Sequence, residues 1–149
     1  MKGFTLLEML AALVVMSLLG AIAIPVYTSF AEKANMSRGI ADLSNIQMTV
    51  QNFWSENMQY PASLGDMGLA DMEDPWGKKY VYLRIEGVDF MLIKNDVRKD
   101  KNLKPINTDF DLYSVGVDGD TQKTLSAKVS KDDVIRAANG SFVGLAEDF

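Results

Sequence analysis

The amino-acid sequence predicts an α+β chain in which one long N-terminal α-helix, half of it suited to a membrane, packs on a small antiparallel β-sheet. Three observations predict it. A nearly uncharged apolar run occupies residues 4–24, helical periodicity continues to residue 57, and short β-rich runs separated by turn residues follow. With 149 residues, the chain has room for one small domain and an appendage.

The first element is the apolar half of the helix, residues 4–25. Between Phe4 and Phe30 the only charged side chain is Glu8, and Met9 to Ile24 is apolar apart from Ser17 and Gly20. A membrane-spanning helix needs about 20 predominantly apolar residues, and this run supplies them. A secretory signal peptide is the usual explanation for such an N-terminus. Three features oppose it: the charged region is only Met1-Lys2, no small-residue cleavage site follows, and Glu8 stands inside the apolar run. The helical pattern also continues beyond it.

After Pro25 comes the amphipathic half, residues 26–57. Val26, Phe30, Ala34, Ile40, Leu43, Ile46, Val50, Phe53 and Trp54 recur at helical spacing, with Glu32, Lys33, Arg38, Asp42, Gln47, Gln51 and Glu56 on other faces. This stripe is expected to complete the core of the globular remainder, residues 58–149. Pro25 lacks an amide donor and crowds the preceding turn, so with Gly20 it marks a point where the helix can bend.

Tyr60-Pro61-Ala62-Ser63-Leu64-Gly65 is a breaker cluster that ends the helix, and a loop rich in Met, Asp and Gly runs on to Glu73. Three strands are expected: Lys79–Ile85, Val88–Lys94 and Phe110–Val117, the first two joined by a tight turn at Glu86-Gly87. Asn95–Thr108 reads as an exposed loop. Val129–Ala138 reads as a short helix or an extended tail, and Asn139-Gly140 as a turn.

Composition narrows the function. The chain has no Cys and no His, which excludes disulfides, thiolate sites, cysteine nucleophiles and Ser-His-Asp catalysis. With 15 basic and 20 acidic residues the net charge is −5, a poor match to nucleic acid. There is no phosphate-binding loop and no clustered nucleophile and base, so an enzyme is not expected.

Lys2-Gly3-Phe4-Thr5-Leu6-Leu7-Glu8 resembles the leader junction of type IV pilins and pseudopilins, and Pro25 falls where that family carries its helix-kinking proline. The resemblance implies a leader of residues 1–3, cleavage between Gly3 and Phe4 by a prepilin peptidase, and N-methylation of Phe4. It also implies pairing of Glu8 with the Phe4 ammonium of a neighbouring subunit, and a pilin-like fold. Asp74-Pro75-Trp76-Gly77 and Phe110-Asp111-Leu112-Tyr113-Ser114-Val115-Gly116-Val117-Asp118-Gly119 resemble two blocks of the major pseudopilin of type II secretion. The first also reads as a turn with a Trp anchor entering a strand. The middle loop and Ala137–Phe149 match less well.

The resemblance implies a structural subunit that waits in the bacterial inner membrane as a single-pass protein, its globular part in the periplasm. There it polymerises helically into a pseudopilus with minor pseudopilins, powered by a secretion ATPase through a membrane platform. The alternative is a type IV pilin building a surface fibre for adhesion, motility or DNA uptake. The resemblance further implies one calcium ion held by Asp118, the Val115 carbonyl and Asp132 or Asp133, in keeping with calcium's preference for hard oxygen ligands. Against it, the Thr121–Lys131 segment departs from the family pattern and brings Lys123, Lys128 and Lys131, so the turn also reads as a solvated acidic loop neutralised by lysines.

Overall fold

A computed structural model describes residues 3–149. Met1 and Lys2, the leader residues ahead of the Gly3–Phe4 junction, lie outside the described residues. The chain divides into two compact units, Met1–Asn35 and Met36–Phe149. One helix, α1 (Leu6–Asn57), contributes to both and continues through Pro25. Its first turn carries no basic residue and its apolar side chains face outward: Leu13, Leu18, Leu19, Ile22 and Ile24 are each more than half exposed. Among the described residues of the first unit none is buried.

The second unit is built on an antiparallel sheet of four strands in the order β1 (Val81–Arg84), β2 (Phe110–Ser114), β3 (Val134–Ala137), β4 (Phe142–Leu145). Register pairs Val81 with Tyr113, Tyr113 with Ile135, and Ile135 with Gly144. Residues of β2 and β3 are buried throughout, because both faces of the sheet are covered. On one face Leu43, Ile46 and Val50 of α1 meet Leu64, Tyr80, Phe110, Leu112 and Val134. On the other, Tyr113, Ile135 and Ala137 meet Ile106, Leu125 and Ala146 from loops. Strand alternation explains the division, since successive side chains of β2 point to opposite faces.

The amphipathic stripe begins later than its sequence pattern. Val26 and Phe30 are exposed, and burial starts at Gly39. The expected strand Val88–Lys94 is instead a single helical turn, α2 (Phe90–Ile93). Asp89 caps it, accepting a hydrogen bond from the Met91 amide at 3.0 Å, which local capping offers and an unpaired edge strand would not. Strand β1 pairs instead with β2, and beyond it the Ile85 and Glu86 amides both donate to the Asp109 carbonyl. Glu86-Gly87 is therefore a turn into α2 rather than a hairpin. Val129–Ala138 resolves into a 3-10 turn, Lys128–Ser130, followed by β3. Strand β4 was not anticipated. Its Gly144 is packed under the Phe142 ring, a short interrupted run with weak strand character.

Candidate functional site

At the N-terminal end, Thr5 and Glu8 form a reciprocal cap at the start of α1. The Glu8 amide donates to Thr5 Oγ1 at 3.2 Å, while Glu8 Oε2 accepts from the Thr5 amide and hydroxyl, each at 2.9 Å. This capping box satisfies orphan donors of the first turn and occupies the carboxylate within its own chain. The Thr-x-x-Glu spacing was the signal for it, and the sequence reading passed over it. Phe4 is largely exposed beside this cap, with Leu6 and Leu7. Helix α1 is long and apolar enough to cross a membrane, and none of that apolar window is buried within the chain.

In the globular unit the two sequence blocks meet. Asp74 Oδ1 accepts from the Trp76 and Lys78 amides at 3.0 and 2.8 Å, closing the Pro-Trp-Gly turn. Its other oxygen accepts from Ser114 Oγ at 2.5 Å, and Ser114 Oγ in turn accepts from the Gly116 amide at 3.1 Å. Trp76 and Pro75 lie over Gly39 of α1, at 3.6 and 3.8 Å from where a Cβ would stand. Thus the Asp74 turn, the end of β2 and the amphipathic helix form one packed corner.

Of the residues expected around calcium, Val115 follows β2 and packs against the second core cluster. Asp118 and Asp132 are brought together, since the Asp118 amide donates to Asp132 Oδ2 at 3.1 Å. Asp132 also closes on Gly116, whose φ of 71° and lack of a Cβ admit the Asp132 carbonyl and carboxylate. Asp133, however, is fully buried and committed elsewhere: Oδ2 accepts from Arg98 Nη2 at 2.5 Å and from Thr121 Oγ1 at 2.6 Å. A calcium ion needs six to eight oxygens. Among the described residues no three acidic side chains are grouped to hold a metal. The unpartnered atoms of the Arg98–Asp133 pair are one donor, Arg98 Nε, and one acceptor, Asp133 Oδ1, a combination suited to water rather than to a cation. Lys123, Lys128 and Lys131 make no ion pair with these carboxylates among the described residues.

Two buried arginines organise the polar interior, and the sequence carried no signal for either. Arg136 reaches Asp109 through both terminal nitrogens at 2.9 and 2.5 Å, the Phe110 carbonyl at 2.8 Å and Gln47 of α1 at 2.9 Å. Asp111 accepts from the Arg98 amide at 2.6 Å and from Asn107 at 2.9 Å. Burial pushes the Asp111 carboxyl above the usual carboxylate range, opposed by those hydrogen bonds and by the two arginines. Burial likewise raises Asp133, against Thr121 and Arg98. No combination of nucleophile, base and cleft arises from these groups. They hold the fold together.

Residues 1–24 match the family described as the prokaryotic N-terminal methylation motif. The chain is 25% identical over 146 residues to the type IV major fimbrial protein FimA of Dichelobacter nodosus, covering 95% of this chain and 85% of that protein. It is 25% identical over 103 residues to the type II secretion system core protein G of Vibrio cholerae, covering 54% of this chain and 69% of the relative. A fimbrial protein of Neisseria meningitidis is 27% identical over 77 residues, which span 52% of this chain and 45% of that one. No solved structure matches. By its methylation motif, these relatives and the helix-on-sheet fold, this chain is similar to pilin-type structural subunits and not to enzymes.

Proposed function

We propose that this type IV pilin-like chain is the major pseudopilin of a type II secretion system, polymerising into a periplasmic filament that drives folded proteins outward. The observation that carries this reading is the Asp74–Ser114 hydrogen bond of 2.5 Å. It joins the Asp-Pro-Trp-Gly turn to the Phe110–Gly119 block, so the two segments that resemble the pseudopilin are parts of one corner. Core protein G of Vibrio cholerae is a relative consistent with that role.

In this reading a prepilin peptidase cuts between Gly3 and Phe4 and the new amine is methylated. The apolar half of α1 then anchors the subunit in the inner membrane, with the globular unit in the periplasm. Glu8 exchanges its Thr5 partners for the Phe4 ammonium of a neighbouring subunit, which neutralises both charges in hydrocarbon. Exposed apolar side chains from Leu6 to Ile24 pack against the same helix of other copies. A secretion ATPase, a membrane platform and minor pseudopilins supply energy and initiation, because this chain has no nucleotide-binding loop.

A second reading, a type IV pilin of a surface fibre, is favoured by the FimA alignment, which runs over 95% of this chain against 54% for the core protein G alignment. Deleting the gene in its own host separates them. Loss of exported proteins from the medium, with surface fibres intact, supports the pseudopilin. Loss of fibres with normal export overturns it in favour of the pilin.

A further inference from the structure

Arg98 is only 1% exposed, although it sits in a segment rich in lysine and polar residues. Its guanidinium donates to Asp133 Oδ2 at 2.5 Å and to Thr121 Oγ1, and its Cζ lies 4.4 Å from the Tyr113 ring centroid. Its backbone amide donates to Asp111. One residue therefore fastens the end of the loop at Thr121, the start of β3 at Asp133 and the centre of β2. The next residue continues the seam: the Lys99 amide donates to the Lys123 carbonyl at 2.7 Å, and the Leu125 amide to the Lys99 carbonyl at 2.9 Å.

We propose that Arg98 is the resident cation of Asp133, in the acidic 118–133 loop, so that folding of this chain does not require calcium. The charge needed to hold Asp133 is covalently attached and fully desolvated, and its planar fork engages two oxygen atoms at once. A divalent ion approaching Asp133 meets a positive guanidinium already in contact with the carboxylate. Expelling Arg98 would in turn leave a buried charge without its partner, which is strongly unfavourable. Tyr113 covers the cation from the side and holds the guanidinium plane in place. The placement also accounts for the loop lysines: none is needed to neutralise Asp133.

Thermal melting of the full-length protein in detergent, followed by near-UV circular dichroism, tests this with calcium and with a chelator. The wild type is expected to melt at the same temperature in both. Arg98→Met is expected to melt several degrees lower in chelator and to recover part of that loss in millimolar calcium, because the buried Asp133 carboxylate is then left without a cation. Arg98→Lys, which keeps the charge without the fork, should melt between the two and stay insensitive to calcium. A wild-type melting temperature that rises by several degrees in calcium would overturn the proposal, whatever the variants do. So would an Arg98→Met protein as stable as wild type in chelator.

Discussion

Thr5 and Glu8 pair within one chain, and the proposed assembly requires Glu8 to leave that pairing for a neighbour's ammonium. The two roles separate by chemistry, because a glutamine serves in a capping box while carrying no charge. Glu8→Gln is therefore expected to keep the start of α1 as protected from amide hydrogen exchange as wild type in micelles. It is also expected to fail in filament assembly, scored by electron microscopy and cross-linking. Filaments at wild-type yield would reduce Glu8 to a helix cap. Asp111 poses the other question at this scale, since its burial favours the neutral form in the folded state. Where the folded pKa stands above the ordinary 3.8, the folded protein binds the proton more tightly. The contribution of Asp111 is then most favourable at low pH and declines as pH rises from 3.8 through the raised value, after which it is flat. Urea midpoints of wild type minus Asp111→Asn should fall across that window. A difference that grew with pH would mean that the Arg98 amide and Asn107 outweigh burial and hold the carboxylate ionised.

Helix α2 is the element where local chemistry overrode pattern. Val88–Lys94 has strand composition, yet Asp89 caps a helical turn and leaves Met91 and Leu92 exposed at 67% and 76%. Leu92→Glu is accordingly expected to change stability by no more than about 0.5 kcal/mol, whereas Val134→Ala, at 0% exposure, should cost about 1–3 kcal/mol. Chemical denaturation checks both, and a destabilisation of Leu92→Glu equal to that of Val134→Ala would mean that α2 is packed. Legibility followed the length and regularity of each signal. Helix α1 was readable because an apolar run of membrane-spanning length leads into an amphipathic period that continues to Asn57, and β1 and β2 because apolar and aromatic residues cluster between turns. β4 was not readable, because its four residues include Gly144 and its partner β3 lies one tight turn away. At the candidate site, the Gly3–Phe4 junction, Glu8, Pro25 and the Asp74 turn stand out as local motifs. The Arg98–Asp133 pair did not, since thirty-five residues separate its members and only the tertiary fold joins them.

At the scale of the whole molecule, all the buried hydrophobic residues among the described ones belong to the unit Met36–Phe149. The described residues 3–35 contribute none of them and leave their apolar faces exposed. A soluble fragment beginning at Met36 is therefore expected to fold cooperatively, with the near-UV signal of the full chain. The boundary suggested by the breaker cluster, near Met58, predicts a different outcome for a shorter fragment. Cutting there removes Leu43, Ile46 and Val50, which are at most 1% exposed and form one wall of the larger core cluster. Burial of such side chains contributes about 1.5–3 kcal/mol each. Their joint loss, about 5–9 kcal/mol, matches the whole net stability of a typical domain of 5–15 kcal/mol. It also strips Arg136 of Gln47 and exposes Phe110 and Leu112 on the sheet face. The fragment beginning at Met58 should lack a cooperative melting transition and bind a hydrophobic dye, while the fragment from Met36 melts sharply and does not. A sharp transition in the shorter fragment would mean that the sheet and its loops form a sufficient core, and that this stretch of α1 serves the filament alone.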